Sequence, residues 1–170
     1  MQKPQSGEYN PYFEHYISLT GNMDFSETWV INTREMEDFL LDIPEIKHDF
    51  AYEQGKWTIR QVFQHIIDME RVMAFRAMMI VRMAGEIALP SVDENLFADN
   101  AHVRQRSFDS LYREFISLRQ ANKYFFDSLT DEESCARGQV SGHATTARAL
   151  GFIIIGHATH HRKIVEERYF

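Results

Sequence analysis

Apolar residues recur at steps of three and four along most of the chain, the spacing that lines one face of an α-helix. After Thr58, the residues Ile59, Val62, Ile66, Met69, Met73, Arg76 and Ile80 follow those steps. Near the C-terminus Leu150, Ile153, Ile154, His157, His161, Ile164 and Val165 repeat the pattern. No segment alternates strictly between apolar and polar positions, and no Asn-Gly or Asp-Gly pair marks a hairpin, so no strand is predicted.

Start and stop signals divide the chain into four long helices. Asp24, with Glu27 three residues on, opens "FSETWVINTREMEDFLLDI", which stops at Pro44. Thr58 and Gln61 form a second such pair, and the helix they open runs toward Gly85 and Pro90. Ser107 caps "FDSLYREFISLRQANKYFFDSL", and Thr145 caps the last helix, which contains "GFIIIGHATHHRKIVEERY". Two short helices are predicted as well, one in "PYFEHYISL" and one starting at Thr130 with Glu133. The fold class is therefore all-α, a four-helix bundle in a single domain over residues 1–170. The connections 44–57, 85–106 and 130–144 are longer than tight helix hairpins. The middle one has the length to cross the roughly 39 Å of the second long helix. The second and third long helices can then run parallel through a long crossover, a path the length permits without requiring it.

The last helix carries unusual chemistry on its apolar face. With Leu150 at zero and 100° per residue, His157 falls at about −20° and His161 at about +20°, while His160 lies on the flank at about −80°. Two imidazoles one turn apart on one face can share a metal ion. With Val62 at zero, His65 falls at about −60°, on the edge of the second helix's apolar stripe. If these two helices are neighbours, the three rings can meet inside the bundle. Three neutral imidazoles suit Zn²⁺, Ni²⁺ or a similar divalent ion and leave a coordination position open. Hydrogen-bonded core histidines satisfy the same spacing, so both readings stand.

Other residues carry weaker signals. Glu70, at about +80°, borders the same stripe and suits either a supporting carboxylate or general base, or a structural ion pair with an arginine. Arg76, at about −40°, faces the core and must be paired or line a cavity, so it either contacts an anionic substrate or bridges to Glu70 or Glu114. Asp68 could orient the His65 ring or make a surface ion pair. Asp93 and Glu94 are cap or loop acids, Cys135 is a packed bystander thiol, and His15, His48, His102 and His143 are surface residues.

Composition narrows the classes of function. A hydrophobic share of 44% and a charged share of 25% fit a water-soluble globular chain. The formal net charge of −7 and the lack of a basic helix argue against nucleic acid and against an anionic membrane surface. No apolar run is long enough to span a bilayer, and "MQKPQSGEYNPYF" has no signal-peptide core. One cysteine, Cys135, makes no internal disulfide, which fits the reducing cytoplasm.

Three stretches, "AYEQGKWTIRQVFQHIIDMERVMAFRAMMI", "LPSVDENLF" and "RALGFIIIGHATHHRKIVEERYF", resemble the bacterial DinB/YfiT-like family in order and spacing. The resemblance covers most of the chain from about Tyr52 onward, and "EYNPYFEHYISL" resembles the same group more loosely. It implies a four-helix bundle with up-down-down-up connectivity and a divalent metal, Zn or Ni, held by His65, His157 and His161. It also implies a homodimer acting on a small-molecule substrate. Characterised relatives are transferases or isomerases that use a low-molecular-weight thiol, and others are described as metal-dependent hydrolases. The expected activity is accordingly a metal-dependent, thiol-using S-transferase or a metal-activated hydrolase. The alternative is a non-catalytic, stress-associated bundle that binds metal or a small ligand.

Overall fold

Each long helix starts where a short polar side chain accepts a hydrogen bond from the free backbone N–H groups of the first turn. The computed structural model describes residues 1–84 and 87–170. Asp24 accepts from Ser26 N at the head of α2 (Phe25–Asp42), and a full Thr58–Gln61 capping box opens α3 (Ile59–Arg82). Ser107 accepts from Ser110 N to open α5 (Phe108–Asp127). The last helix, α7 (Ala147–Arg168), is capped by Thr146 accepting from Ala149 N, one residue later than the sequence pattern places it. Helix α2 ends at Asp42, and the next residue, Ile43, is extended because the ring of Pro44 disfavours the helical region for the residue before it. Helix α3 ends at Arg82, and Gly85, toward which its pattern runs, lies outside the described residues.

Short helices fill the connections. They are α1 (Glu14–Ser18), α4 (Glu94–Asn100) and α6 (Asp131–Ser134), the last opened by the Thr130–Glu133 box. Helix α4 lies within the long middle connection and is capped by Asp93, which accepts from Asn95 N and Leu96 N.

The expectation of no strands is corrected. A three-stranded sheet forms from β1 (Ala88–Leu89), β2 (Arg137–Val140) and β3 (His143–Thr146). Strand β1 pairs parallel to β2, and β2 pairs antiparallel to β3. Val140 faces His143 across a two-residue loop, Ser141-Gly142, in which φ is +52° and +79°. Positive φ at both positions is the geometry whose twist matches a tight hairpin, here built from Ser-Gly. Thr145, proposed as a helix cap, sits in β3 and donates its hydroxyl to His143 O. The sheet closes against the end of α3: a Cβ on Gly138 would lie 2.7 Å from Ile80 Cγ1, so only glycine allows β2 this close.

The helices pack as a mostly α-helical bundle. Phe25 meets Phe152, Asn32 meets Thr159 and Glu35 meets Arg162 between α2 and α7. Phe63 meets Phe115 and Glu70 meets Asn122 between α3 and α5. Trp29 meets Phe126, and Glu37 accepts from the Tyr112 hydroxyl, between α2 and α5.

The core is two apolar clusters rather than one. Phe25, Trp29, Met73, Ile80, Phe126 and Phe152 belong to the first, and Met36, Ile59, Phe63, Leu111, Phe115 and Val165 to the second. Between them every long helix contributes buried polar groups: Asn32, then His65 and Glu70, then Arg119 and Asn122, then His157 and Thr159. Asn32 donates to Thr159 Oγ1 at 2.9 Å and accepts from Arg119 Nη1 at 2.9 Å, and Asn122 donates to Glu70 Oε1 at 3.0 Å. A polar waist thus crosses the bundle, held by hydrogen bonds and an ion pair between groups removed from water, with Arg119 Nη2 left without a hydrogen-bond partner among the described residues.

Candidate metal centre

Helices α3 and α7 bring the three histidines together at this waist. His65 Nε2 lies 3.0 Å from His157 Nε2, although 92 residues separate them in the chain. Ring centroids are 4.8 Å apart for His65 and His157, 4.8 Å for His65 and His161, and 4.4 Å for His157 and His161. One ring nitrogen from each residue falls within 4.8 Å of the other two. His65 is 4% exposed and His157 8%, while His161 is partly exposed.

Burial sets the charge state of these rings. Loss of hydration disfavours the imidazolium form and lowers the pKa of His65 to about 4. Burial lowers His161 to about 3, with His65 and His160 adding repulsion. His157 lies well below its ordinary value for the same reason, with His161, His65, His160 and Arg119 all disfavouring its charge. All three are neutral near pH 7, the form in which imidazole offers a lone pair to a metal. Tetrahedral zinc with Zn–N bonds near 2.0–2.1 Å spaces its nitrogens by about 3.3 Å. The observed spacings bracket that value, so the donor set fits one divalent ion after small side-chain movements.

Neighbouring groups fix the rings. The Trp57 ring packs on His65 at 4.9 Å, and Tyr16 of α1 sets its edge against His157 at 5.5 Å. Helix α1 reaches this place because position 156 is glycine. A Cβ there would lie 2.0 Å from Tyr16 O. Tyr16 escapes the helical patterning because its contact comes from a five-residue helix outside the long amphipathic ones.

One cavity, of about 340 Å³, has His157 in its wall. Tyr12, Phe13 and Tyr16 line one side of it, Met69, Met73 and Arg76 of α3 line another, and Val92 to Glu94 close the rim. A larger groove of about 430 Å³ lies between α2 and α5 and touches none of the three histidines.

The other residues singled out by sequence are placed as follows. Glu70 is 2% exposed and sits with Oε2 2.7 Å from Arg119 Nε, so it takes the structural ion pair and not the cavity. Burial raises its pKa, against the opposing pull of Arg119 and Asn122. Arg76 bridges to neither carboxylate offered for it: Glu114 pairs with Arg71 and Arg106, and Glu70 with Arg119. Arg76 is buried, donates to Pro90 O at 2.6 Å and to Met73 Sδ at 3.7 Å, and lines the cavity. Asp68 accepts from Gln64 and orients no histidine. His160 Nδ1 faces His15 Nε2 at 3.3 Å on the surface, His48 stacks on Phe108, and Cys135 is exposed rather than packed.

The helix and histidine signals of the sequence do not single out the waist residues Arg119, Asn122 and Asn32. Their signal was present. Phe115, Arg119, Asn122 and Phe126 keep steps of four, three and four, so polar side chains occupy core register there.

Comparison with known proteins agrees with this picture. A family model described as the DinB superfamily matches residues 28–165. Among solved structures, the chain is similar to YfiT from Bacillus subtilis, described as a probable metal-dependent hydrolase with an unusual four-helix bundle topology. Sequence identity is 18% and the TM-score 0.74, over 95% of this chain and 92% of that one, a likeness of fold. No curated protein matches the sequence significantly.

Proposed function

The chain belongs to the DinB superfamily, and on that premise we propose that it is a metal-dependent enzyme acting on a small molecule at the His65–His157–His161 centre. The observation that carries this reading is the convergence of three neutral imidazole donors beside a cavity of about 340 Å³. A divalent ion, Zn or Ni, held by His65, His157 and His161 would supply a Lewis acid that lowers the pKa of a thiol or a water molecule.

The residues of the chain divide the remaining work. The three imidazoles would hold the ion as neutral nitrogen donors, and Trp57 and Tyr16 keep two of the rings in place. Tyr16, Met69 and Met73 give the cavity apolar walls beside His157. Glu70 ties α3 to α5 through Arg119 and Asn122, which positions the turn of α3 that follows His65.

Thiol transfer is the first reading. A divalent ion held by the three imidazoles would lower the pKa of a thiol enough for its proton to pass to solvent, and Glu70, a carboxylate buried at the waist, is committed to Arg119. Hydrolysis is the second reading, supported by the YfiT likeness and by Asp93 and Glu94 at the cavity rim, which can take a proton from water.

The same proposal includes an up-down-down-up path. The pairings Phe25–Phe152, Asn32–Thr159 and Glu35–Arg162 support α2 and α7 running the same way. Phe63–Phe115 and Glu70–Asn122 support the same for α3 and α5. It also includes one domain acting in the cytoplasm as a homodimer. Exposed Val30, Leu41 and Tyr124 support an interface on α2 and α5.

The test is turnover by fully metal-loaded protein. Conjugation of a haloaromatic electrophile that requires added thiol supports the transferase, and ester or amide cleavage without thiol supports the hydrolase. Bound metal with neither activity would leave a non-catalytic binding bundle and overturn the enzymatic reading.

A further inference from the structure

Arg76 is 5% exposed, yet among the described residues no carboxylate pairs with it. Its hydrogen bonds go to a neutral carbonyl, Pro90 O, and a thioether, Met73 Sδ. Burial lowers its pKa. A cation taken out of water without a counter-charge is costly, and a bound anion removes that cost. Arg76 also lines the cavity that reaches His157.

We propose that this cavity takes a small organic carboxylate whose anionic group is held by Arg76 and whose apolar body lies along Met69, Met73 and Tyr16 toward His157. The proposal deepens the reading of the metal centre and rests on it only for the reacting end of the molecule. Positions 65 and 76 lie about 16 Å apart along α3 at the helical rise. Helical side chains lean toward the N-terminus, and the Arg76 contact with Met73 follows that rule, so the guanidinium is returned by about one turn. The remaining span of about 10 Å suits a substituted aromatic ring or a short chain.

The rim sets the net charge of the ligand. Asp93 and Glu94 are both exposed there, and Asp93 caps α4. Two acids at the mouth repel a polyanion, so a single negative charge at the inner end is preferred. Guanidinium favours carboxylate among monoanions because its planar fork matches two oxygens.

The experiment compares 4-phenylbutanoate with its uncharged isostere 4-phenylbutanamide, by calorimetry on the full chain, both as purified and after chelation. Metal-free protein is the informative state, because carboxylate can no longer ligate an ion. The carboxylate is expected to bind at least about tenfold more tightly than the amide in both states. Arg76→Met should remove that preference, and Arg76→Lys should keep part of it. A purely structural Arg76, serving only to tie down Pro90, would lower stability in these variants and leave the binding ratio unchanged. Equal affinities in metal-free wild type, failure of both probes to bind, or a preference that survives in Arg76→Met each overturn the proposal. The wild-type comparison needs no variant to fold. Should the His161→Ala protein still hold its metal, the three-histidine reading fails while an intact carboxylate preference leaves the Arg76 site standing.

Discussion

Glu70 Oε2 lies 2.7 Å from Arg119 Nε, with the two side chains 2% and 1% exposed. Asn122 donates to the other Glu70 oxygen, Asn32 accepts from Arg119, and the Trp29 and Phe115 rings flank the guanidinium at 4.8 and 5.0 Å. An ion pair in this position costs hydration on both sides, and its partners become a liability when one is removed. Arg119→Met leaves a buried carboxylate without its cation and should lower stability by about 3–5 kcal/mol in urea unfolding. The double variant Glu70→Leu/Arg119→Met should recover a large part of that loss. Strictly additive losses would show that the two groups do not act as a pair.

The polar waist also explains how much of this protein the sequence disclosed. The pair at 157 and 161 was readable because one helix fixes its own i, i+4 geometry, and His65 was readable as a polar residue bordering an apolar face. Which arginine pairs with Glu70 was not readable, since that partner comes from another helix and depends on packing. Arg76 was offered Glu70 or Glu114 and received neither. The strands escaped because each has four residues or fewer and the hairpin turns on Ser-Gly. Tyr16 escaped because its place depends on a close helix approach at Gly156, which a pattern of apolar positions does not encode.

That close approach gives a second prediction. In Gly156→Ala the new methyl would overlap Tyr16 O, so α1 must move away from α7. Overpacking of this kind costs about 1–3 kcal/mol, and a backbone obstacle places the loss toward the upper end. Urea unfolding should show the loss, and proteolysis near residues 11–18 should accelerate. A variant as stable as wild type, with unchanged cleavage, would argue that α1 is not seated on α7 in solution.

Glu8 gives a pH dependence with a definite sign. Burial alone would raise its pKa from the ordinary 4.5, but bonds from Arg148, Gln5 N and Thr146 outweigh burial and lower it. The unfolded chain therefore binds a proton at higher pH than the folded chain. Stability from this group is fully present above about pH 4.5 and is lost as pH falls through the lower folded value. Comparing urea midpoints of wild type and Glu8→Gln across pH 3 to 7 tests this. The gap between them should be widest above about pH 5 and close on acidification. A gap that grows toward low pH would reverse the assigned sign.

The metal content of the purified, refilled and desalted protein bears most directly on the three-histidine centre. Elemental analysis should find about one divalent ion per chain in wild type, with His65→Ala, His157→Ala and His161→Ala each losing most of it while remaining helical by circular dichroism. His160→Ala, which removes a ring facing His15 on the surface, should keep the ion. Full stoichiometric metal in folded His161→Ala, or none in wild type after refilling, would contradict the account.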